Sequence, residues 1–209
     1  MGNDGSRAVR SAKGDRVKVT LFDYGAGNLH SLAKALEGPG ATVVIEPDPV
    51  RATQTDVLVL PGVGAFAAAA QRLAPGRKAM RDALEGGLPC LGICLGMQLF
   101  FEASEEGPGE GLGILEGPVT KLKARRVPQM GWNRVDPHPA SLPPIAYYAN
   151  SYVCRPEDPD CITAWSIHED DRFAAAVRYK NVVGVQFHPE KSSAAGVQFL
   201  RTFVSRFSE

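Results

Sequence analysis

The sequence predicts an α/β protein: an open, mostly parallel sheet flanked by helices, with an antiparallel extension in the second half. Before Gly107, short apolar runs alternate with stretches of helical periodicity, which is typical of repeated strand, helix and strand units. After Gly107, strand-like runs follow one another between glycines and prolines, which favours antiparallel pairing. A chain of 209 residues is also long enough to bury one sizeable core.

The elements of the first half follow from apolar spacing. Short continuous apolar runs indicate buried strands, and apolar residues three or four apart indicate helices, as with Leu29, Leu32, Ala33 and Leu36. In chain order, the predicted elements are strand 17–22, helix 29–36, strands 42–45 and 57–60, helices 66–73 and 77–85, strand 89–93 and helix 95–102. Strand 57–60 leads into the glycine-containing loop PGVG.

The second half contains mainly strands and ends in a helix. Strands are predicted at 119–123, 145–148, 152–155, 162–167, 174–179 and 182–187. Residues 194–207 are predicted to form an amphipathic helix, because Val197, Leu200, Val204 and Phe207 recur at core-facing spacing. We expect the strands to extend the sheet or to form an antiparallel annex beside it.

Composition argues against several classes of partner. Lys plus Arg and Asp plus Glu both total 23, so no net charge favours nucleic acid or an anionic membrane. No apolar run approaches the roughly 20 residues needed to cross a bilayer. Residues 1–16 are polar and lack the apolar centre of a secretory signal, so we interpret them as a flexible N-terminal extension before one domain at 17–209.

The cysteines indicate the compartment. Four cysteines without a secretory signal and without a CxxC pair do not resemble a disulfide framework, which favours the cytoplasm. Neither the cysteines nor the histidines have the spacing of zinc ligands, so we expect no metal site and no cofactor. Cys90, Cys154 and Cys161 are interpreted as packing residues, since free cysteine is among the most buried residue types.

Cys94 differs from the others because it stands between two glycines where a strand is predicted to meet a helix. An open parallel sheet binds ligands at the carboxyl ends of its strands, and Cys94 directly follows strand 89–93. The pattern Gly92-x-Cys94-x-Gly96 is the thiol counterpart of a nucleophile elbow, a strained turn whose small neighbours allow close backbone approach. A buried structural cysteine needs no such neighbours. Cys94 is therefore the candidate nucleophile.

Backbone amides near Cys94 are candidates for an oxyanion hole. The Leu95 N–H begins the predicted helix and can point at a developing negative charge, while the positive end of that helix favours a thiolate. The loop PGVG ends the preceding strand, and its glycines allow the amides of Gly62 and Val63 to face a ligand.

A thiol nucleophile also needs a base, and the base needs a group that orients it. His188 and Glu190 follow strand 182–187, two residues apart. If the backbone stays extended through the intervening proline, both side chains project to the same side, and the carboxylate can hold the imidazole. Gln98 lies four residues after Cys94, on the same helical face, and can reach a substrate held at the sulfur.

Together, GICLGMQLFFEASEEG, PGVGAF and GVQFHPEKS resemble the class I glutamine amidotransferases, triad glutaminases of flavodoxin-like fold, from about residue 17 to the end of the chain. DYGAGNLHSL and PQMGWN are similar to the glutaminase subunits of imidazole glycerol phosphate synthase in histidine biosynthesis. Anthranilate synthase glutaminases begin with an Asp-Asn-Tyr-Asp-type stretch instead. By this resemblance Cys94 is the nucleophile, His188 the base and acid, and Glu190 the residue that orients His188.

The resemblance implies that L-glutamine is hydrolysed to glutamate and ammonia through a thioester. The ammonia would pass to a cyclase subunit, a (β/α)8 barrel, that makes imidazole glycerol phosphate and a carboxamide ribotide. Gly64, Ser151 and Tyr152 are expected to contact the glutamine together with Gln98. Related subunits often carry His-Ser-Tyr where this chain has Asn150-Ser151-Tyr152.

Asn28, Trp132 and Lys191 match family positions near the cyclase interface. Trp132 also suits plain packing, since aromatic residues are enriched in cores as well as interfaces. Lys191 also suits an ordinary solvated charge.

Two alternative functions stay open at this point. Another class I glutaminase, serving pyridoxal phosphate or anthranilate synthesis, would have the same triad and a different synthase partner. A non-enzymatic binding or redox-sensing protein of related fold would have Cys94 oxidised instead of acylated.

Overall fold

The computed structural model describes residues 16–25, 27, 29–38, 40–137 and 140–207. The predicted extension, 1–16, lies outside these residues apart from Arg16. The strands are β1 (Val17–Phe22), β2 (Ala41–Glu46), β3 (Val57–Leu60), β4 (Cys90–Ile93), β5 (Val119–Lys121), β6 (Gln129–Arg134), β7 (Ile145–Asn150), β8 (Tyr152–Cys154), β9 (Ile162–His168), β10 (Asp171–Tyr179) and β11 (Val182–Val185). The α-helices are α1 (Leu29–Leu36), α2 (Phe66–Leu73), α3 (Arg77–Glu85), α4 (Leu95–Gln98) and α5 (Ser193–Ser205). Within the described residues, no helix is both long and apolar enough to span a bilayer.

Seven of the described strands form one sheet, in the order β2-β1-β3-β4-β11-β10-β9. The strands from β2 to β11 in this order run parallel, and β10 and β9 continue antiparallel at the far edge. Elsewhere in the described residues, β5 pairs with β8 and β6 pairs with β7, both antiparallel. The predicted fold class, a mostly parallel sheet with an antiparallel extension, is confirmed.

A hydrophobic core lies on each face of the large sheet. One core joins the sheet to α1 and α5, through residues such as Leu36 and Leu200. The other joins it to α2, α3 and α4, through residues such as Phe66. The neighbours Leu21 and Phe22 in β1 belong to opposite cores. Because both faces are covered, the parallel strands are continuously apolar instead of alternating with polar residues.

The pairing of β4 with β11 determines where the candidate site lies. These strands are parallel neighbours with Ile93 opposite Val185, so their carboxyl ends meet at one edge of the sheet. Cys94 therefore lies beside the segment that follows Val185. On its other side β4 pairs with β3, so the loop that begins at Pro61 reaches the same edge.

The helix predicted at 95–102 is wrong in length, because α4 ends at Gln98. The carbonyl of Leu99 accepts from the Leu112 N–H at 2.7 Å, and that of Phe100 accepts from the Ile114 N–H at 2.9 Å. A returning loop thus supplies the donors that a further helical turn would have provided.

The structure contains one strand that was not predicted, and four strand boundaries differ from the prediction by two or three residues, including the ends of β5 at Lys121 and β7 at Asn150. β6 was not predicted, because QMGWNR lacks the apolar alternation of a half-buried strand. β10 begins at Asp171, three residues earlier than predicted, because it forms a tight hairpin with β9 in which Asp171 pairs with His168. β11 ends at Val185, two residues early, because the His188 N–H bonds the Tyr147 carbonyl at 2.8 Å instead of continuing the sheet.

The C-terminal helix buries a wider face than predicted. Leu200 and Val204 are in the core as expected, but so are Phe199 and Phe203. Val197 is only half-buried.

Candidate active site

Cys94 occupies a strained turn between β4 and α4. Its φ of 47° and ψ of −103° lie in a sparsely populated region for a residue with a side chain. A Cβ on Gly92 would lie 2.6 Å from the Phe100 ring, and a Cβ on Gly96 would lie 2.1 Å from the Leu60 carbonyl oxygen. The two glycines therefore provide the close approach that the turn requires, and the backbone has the geometry of a nucleophile elbow.

The structure brings His188 and Glu190 together just beyond β11. Nδ1 of His188 lies 2.8 Å from Oε1 of Glu190, and the two side chains are 2% and 11% exposed. The backbone between them does not stay extended as expected, because Pro189–Lys191 form a 3₁₀ turn. The turn, not strand alternation, carries the carboxylate to the imidazole.

Ser192, which the sequence did not single out, fixes this turn to the neighbouring β7. Its hydroxyl donates to the His188 carbonyl at 2.7 Å and accepts from the Tyr147 N–H at 2.9 Å. Ser192 is fully buried. Hydrogen bonds to the His188 backbone thus limit the movement of its imidazole.

The charge of His188 depends on its two neighbours. Burial lowers the pKa of the imidazole, but the Cys94 sulfur, through its charge and a hydrogen bond, and the Glu190 carboxylate together raise that pKa to about 10. Attraction from two negative groups therefore outweighs desolvation. His188 is therefore favoured in its protonated form where it lies between a carboxylate and a sulfur.

The predicted oxyanion donors lie around the elbow. A Cβ on Gly62 would lie 3.0 Å from Cε1 of His188, so this loop touches the imidazole. Gly64 has a φ of +121°, and a Cβ there would lie 3.5 Å from the Leu95 side chain. Within the described residues, the N–H groups of Gly62, Val63 and Leu95 make no hydrogen bond.

Tyr24, beyond the end of β1, holds the loop that begins at Pro61, a contact that nothing in the sequence pattern predicts. Its hydroxyl donates to the Pro61 carbonyl, and its ring packs edge-on against Phe22 with centroids 5.8 Å apart. Burial, with smaller contributions from the charges of Cys94 and Asp23, holds the Tyr24 pKa well above its ordinary value. The hydroxyl therefore stays protonated and remains a donor.

Of the predicted glutamine-binding residues, Gln98 meets the Tyr152 carbonyl, which Asn150 also contacts. The amide groups of Gln98 and Asn150 each donate to the Tyr152 oxygen at 3.1 Å, and both side chains are buried. Ser151 and Tyr152 are partly exposed. Because Gln98 lies one helical turn after Cys94, this bond holds β8 beside the elbow. Oδ1 of Asn150 has no partner in the described residues, which leaves a buried acceptor.

Known proteins are similar to this chain over most of its length. The glutamine amidotransferase class-I family matches residues 20–207. The imidazole glycerol phosphate synthase subunit HisH of Thermosynechococcus vestitus is 42% identical over 200 residues, covering 90% of this chain and 96% of that protein. The HisH subunit of Pyrococcus furiosus is 44% identical over 194 residues, covering 89% and 97%. This chain is a class I glutamine amidotransferase of the HisH family.

Solved structures have the same fold as this amidotransferase at low sequence identity. A glutamine amidotransferase that is 18% identical has a TM-score of 0.73 and covers 91% of this chain and 99% of its own. PurLQS from Thermotoga maritima is 17% identical with a TM-score of 0.69, covering 93% and 100%. These likenesses support the fold alone.

Two of the three predicted interface residues of this amidotransferase are described, and both are exposed. Trp132 is 56% exposed on β6, so the alternative of core packing is wrong, and its ring lies edge-on to Tyr147 with centroids 6.1 Å apart. Lys191 is exposed on the 3₁₀ turn that also carries Glu190. Asn28 lies outside the described residues.

The remaining cysteines of the amidotransferase are buried free thiols. Burial raises the pKa of Cys90 and of Cys154 well above the ordinary value, and raises that of Cys161 to about 11. Because the reactive form is the thiolate, these side chains are inert packing residues. Within the described residues, no cluster of three or more His, Cys, Asp or Glu could hold a metal ion.

Glu106 is a further residue without a predicted role. Its Oε2 accepts a hydrogen bond from the Phe66 N–H at 2.9 Å, although the two residues are 40 positions apart along the chain. Phe66 is the first residue of α2, and the preceding Ala65 offers no side-chain cap. Glu106 therefore caps the helix that follows the oxyanion loop. The quoted stretch FEASEEG contains this residue, but nothing in its spacing indicates the contact.

Proposed function

We propose that this protein is the glutaminase subunit of an imidazole glycerol phosphate synthase. It hydrolyses L-glutamine to glutamate and ammonia, and a cyclase subunit uses the ammonia to make imidazole glycerol phosphate and a carboxamide ribotide. The observation that carries the proposal is the convergence of Cys94, His188 and Glu190 at the carboxyl ends of β4 and β11, in a chain of the HisH family.

Acylation begins when the Cys94 thiolate attacks the side-chain amide carbon of glutamine. The carbonyl electron pair moves to oxygen, where the N–H groups of Leu95 and of Gly62 or Val63 stabilise it; each such donor contributes about 3 kcal/mol. As the intermediate collapses, the C–N bond breaks. His188 gives its proton to the nitrogen, and ammonia leaves a thioester on Cys94.

Deacylation uses the same groups in reverse. A water molecule attacks the thioester carbon while the now neutral His188 takes one of its protons. The C–S bond breaks, which restores the thiolate of Cys94 beside the imidazolium, and glutamate leaves after losing its carboxyl proton to solvent. Glu190 keeps the imidazole oriented and compensates its positive charge in both steps.

Glutamine is held in this proposal by Gln98, Gly64, Ser151 and Tyr152. The bond of Gln98 to the Tyr152 carbonyl supports this assignment, because it ties β8 to the helix that carries the nucleophile. Asn150 shares that carbonyl, so it orders the same wall of the pocket.

The cyclase, expected to be a (β/α)8 barrel, docks in this proposal on the β6–β7 hairpin. Met130 and Trp132 are 64% and 56% exposed on one face of β6, and Ile145 on β7 is 49% exposed on that same face. Exposed apolar side chains grouped in this way are typical of interaction surfaces. Tyr147 connects this face to the triad, because it packs against Trp132 and its carbonyl accepts the His188 N–H. Lys191 and Asn28 complete the proposed interface.

We also propose that residues 17–209 form one domain that works in the cytoplasm. The family match at 20–207 supports the domain bounds. The unpaired state of all four cysteines supports a reducing compartment.

The test is glutamate production from glutamine by the chain alone, and by the chain with a cyclase subunit and the cyclase's nucleotide substrate. We expect almost no turnover alone and a strong increase with both additions. Cys94→Ala should abolish the turnover and leave the circular dichroism spectrum unchanged. Substantial residual turnover in Cys94→Ala would rule out the nucleophile, and brisk activity without the cyclase would contradict the subunit assignment.

A matched pair of substitutions tests the docking face. Trp132→Ala should weaken association with the cyclase by about tenfold or more, since buried aromatic residues dominate interface energies. Val50→Ala removes another exposed apolar side chain, 43% exposed, from the loop after β2, and should leave association unchanged. Association would be measured by titrating the cyclase and following glutaminase activation. Equal effects of Trp132→Ala and Val50→Ala would argue against docking on the β6–β7 face.

A further inference from the structure

The Cys94 sulfur has a second polar neighbour besides the imidazole. Nε2 of Gln186 lies 3.4 Å from Sγ of Cys94, which is within hydrogen-bonding range for sulfur. The Gln186 side chain is completely buried. The triad mechanism assigns it no role.

The fold places Gln186 at the sulfur through backbone contacts on both sides. The Cys94 N–H donates to the Val185 carbonyl at 2.7 Å, so the next residue, Gln186, is level with Cys94. The Gln186 N–H donates to the Ala175 carbonyl at 2.9 Å. Ala175 lies on β10, so this bond holds the Gln186 backbone from the side opposite β4. The amide is therefore held against the sulfur from two directions.

Strand alternation explains why Gln186 and His188 both reach the sulfur. Alternate residues of extended backbone project to the same side. Phe187, between them, points into the core and packs against Tyr148 and Phe199. The sulfur is therefore bounded by an amide and an imidazole from one segment.

The buried amide is otherwise poorly satisfied. Oε1 of Gln186 has no hydrogen-bond partner in the described residues. An apolar side chain of the same length would fill this space without burying an unpaired oxygen, so packing does not account for a glutamine here. The contact that does account for it is the one to sulfur. A thiolate only accepts hydrogen bonds, which matches the amide N–H that faces it.

We propose that Gln186 is a further catalytic residue, whose side-chain N–H stabilises the Cys94 thiolate. A hydrogen bond to a charged group is stronger than one to a neutral group, so the amide favours the thiolate over the thiol and over the thioester. It therefore raises the fraction of reactive sulfur in the free enzyme and stabilises the sulfur as the leaving group in deacylation. The effect of Gln186 on turnover rests on the proposed glutaminase function, but its effect on the thiolate does not.

The test is alkylation of Cys94 by iodoacetamide, measured by mass spectrometry of the peptide that contains it, over a range of pH. Gln186→Met has nearly the same shape and no donor. We expect alkylation at neutral pH to slow by about tenfold, the effect of losing one hydrogen bond to a charged group, and to recover at high pH. Gln186→Glu, which places an acceptor at the sulfur, should slow alkylation further and serves as the second variant if the methionine protein does not fold.

Gln129→Met is the matched control. Gln129 is also a buried glutamine with an unpaired Oε1, but it lies on β6 and makes no hydrogen bond to Cys94 within the described residues. Its alkylation rate and pH profile should match those of wild type. If Gln186→Met lowers the unfolding temperature while its alkylation profile also matches wild type, the side chain is merely structural and the proposal is overturned.

The two proposals fail in different ways. If the wild-type chain never hydrolyses glutamine, with or without a cyclase, but Gln186→Met still slows alkylation, the role of the amide stands and the glutaminase function fails. If wild type is active and both Gln186 variants are alkylated at the wild-type rate at every pH, the role of Gln186 fails alone.

Discussion

Gly62 lies so close to His188 that a side chain at position 62 would press against the imidazole. A Cβ added to Gly62 would lie 3.0 Å from Cε1 of the imidazole, and also 3.0 Å from the carbonyl oxygen of Ile93. Such distances are shorter than ordinary van der Waals contacts. A side chain at position 62 would therefore have to displace the imidazole, the end of β4 or the loop after β3.

We expect Gly62→Ala to lower kcat by about tenfold to a hundredfold, because displacement of a reacting group by a fraction of an ångström to 1 Å has effects of this size. Steady-state kinetics with glutamine and the cyclase complex would measure it. Gly38→Ala is the control, since a Cβ at Gly38 meets nothing within 4 Å and the backbone there is not left-handed. Wild-type kcat in Gly62→Ala would show that the contact is not needed.

Glu190→Gln should reduce turnover by about 10³- to 10⁴-fold, since loss of the orienting carboxylate in comparable triads has effects of that order. The amide keeps the shape of the side chain but removes the negative charge 2.8 Å from Nδ1 of His188. The loss should be smaller than in Cys94→Ala, which removes the nucleophile. Glu85→Gln, which changes an exposed carboxylate paired with Arg81 on α3, should leave turnover at the wild-type level.

The pKa of His188 should fall when the sulfur is replaced. In the wild-type protein it is raised from the ordinary value of 6.5 to about 10 by Cys94 and Glu190 against the effect of burial. In Cys94→Ser the neutral hydroxyl removes one of these negative charges, so the imidazole should titrate at lower pH. Proton NMR of the imidazole Cε1–H would follow both titrations. A wild-type midpoint near 6.5 would exclude the ion pair.

The same pKa makes stability depend on pH in a defined direction. Because the folded-state pKa of His188 is raised, its protonation stabilises the fold fully below about 6.5, and this contribution is lost as pH rises through about 10. Denaturant unfolding of the wild type should therefore show a falling free energy of unfolding between these values. The decline should be smaller in Cys94→Ser, measured under the same conditions.

Tyr24→Phe should lower kcat several-fold and lower the free energy of unfolding by about 1–3 kcal/mol, the cost of leaving a buried acceptor unpaired. The substitution keeps the ring against Phe22 and removes the hydroxyl that bonds the Pro61 carbonyl. Thermal unfolding and steady-state kinetics would measure the two effects. Tyr179→Phe is the matched control, because the Tyr179 hydroxyl makes no hydrogen bond in the described residues. No difference between the two variants would count against a role for Tyr24.

The parallel sheet and the elbow could be predicted from the sequence because their residues have few alternatives. Strands covered on both faces must be continuously apolar, as β3 and β4 are. Only glycine fits where Gly96 meets the backbone of Leu60. His188 and Glu190 could be predicted as a pair because they lie two residues apart, although the turn between them could not, since the predicted extended backbone is equally compatible with proline.

By itself, then, the sequence determined the order of strands and helices apart from β6, the sharp turn at Cys94 and the family to which the chain belongs, because these depend on local spacing and on close backbone approach. Only the tertiary structure decided that Gln186 faces the sulfur, that Tyr24 holds the loop at Pro61 and that Ser192 ties the turn after His188 to β7. These contacts join segments that are far apart along the chain. The order of β3, β4 and β11 in the sheet brings the segments together. A single buried amide or hydroxyl has no periodicity in the sequence, so its partner could not be predicted.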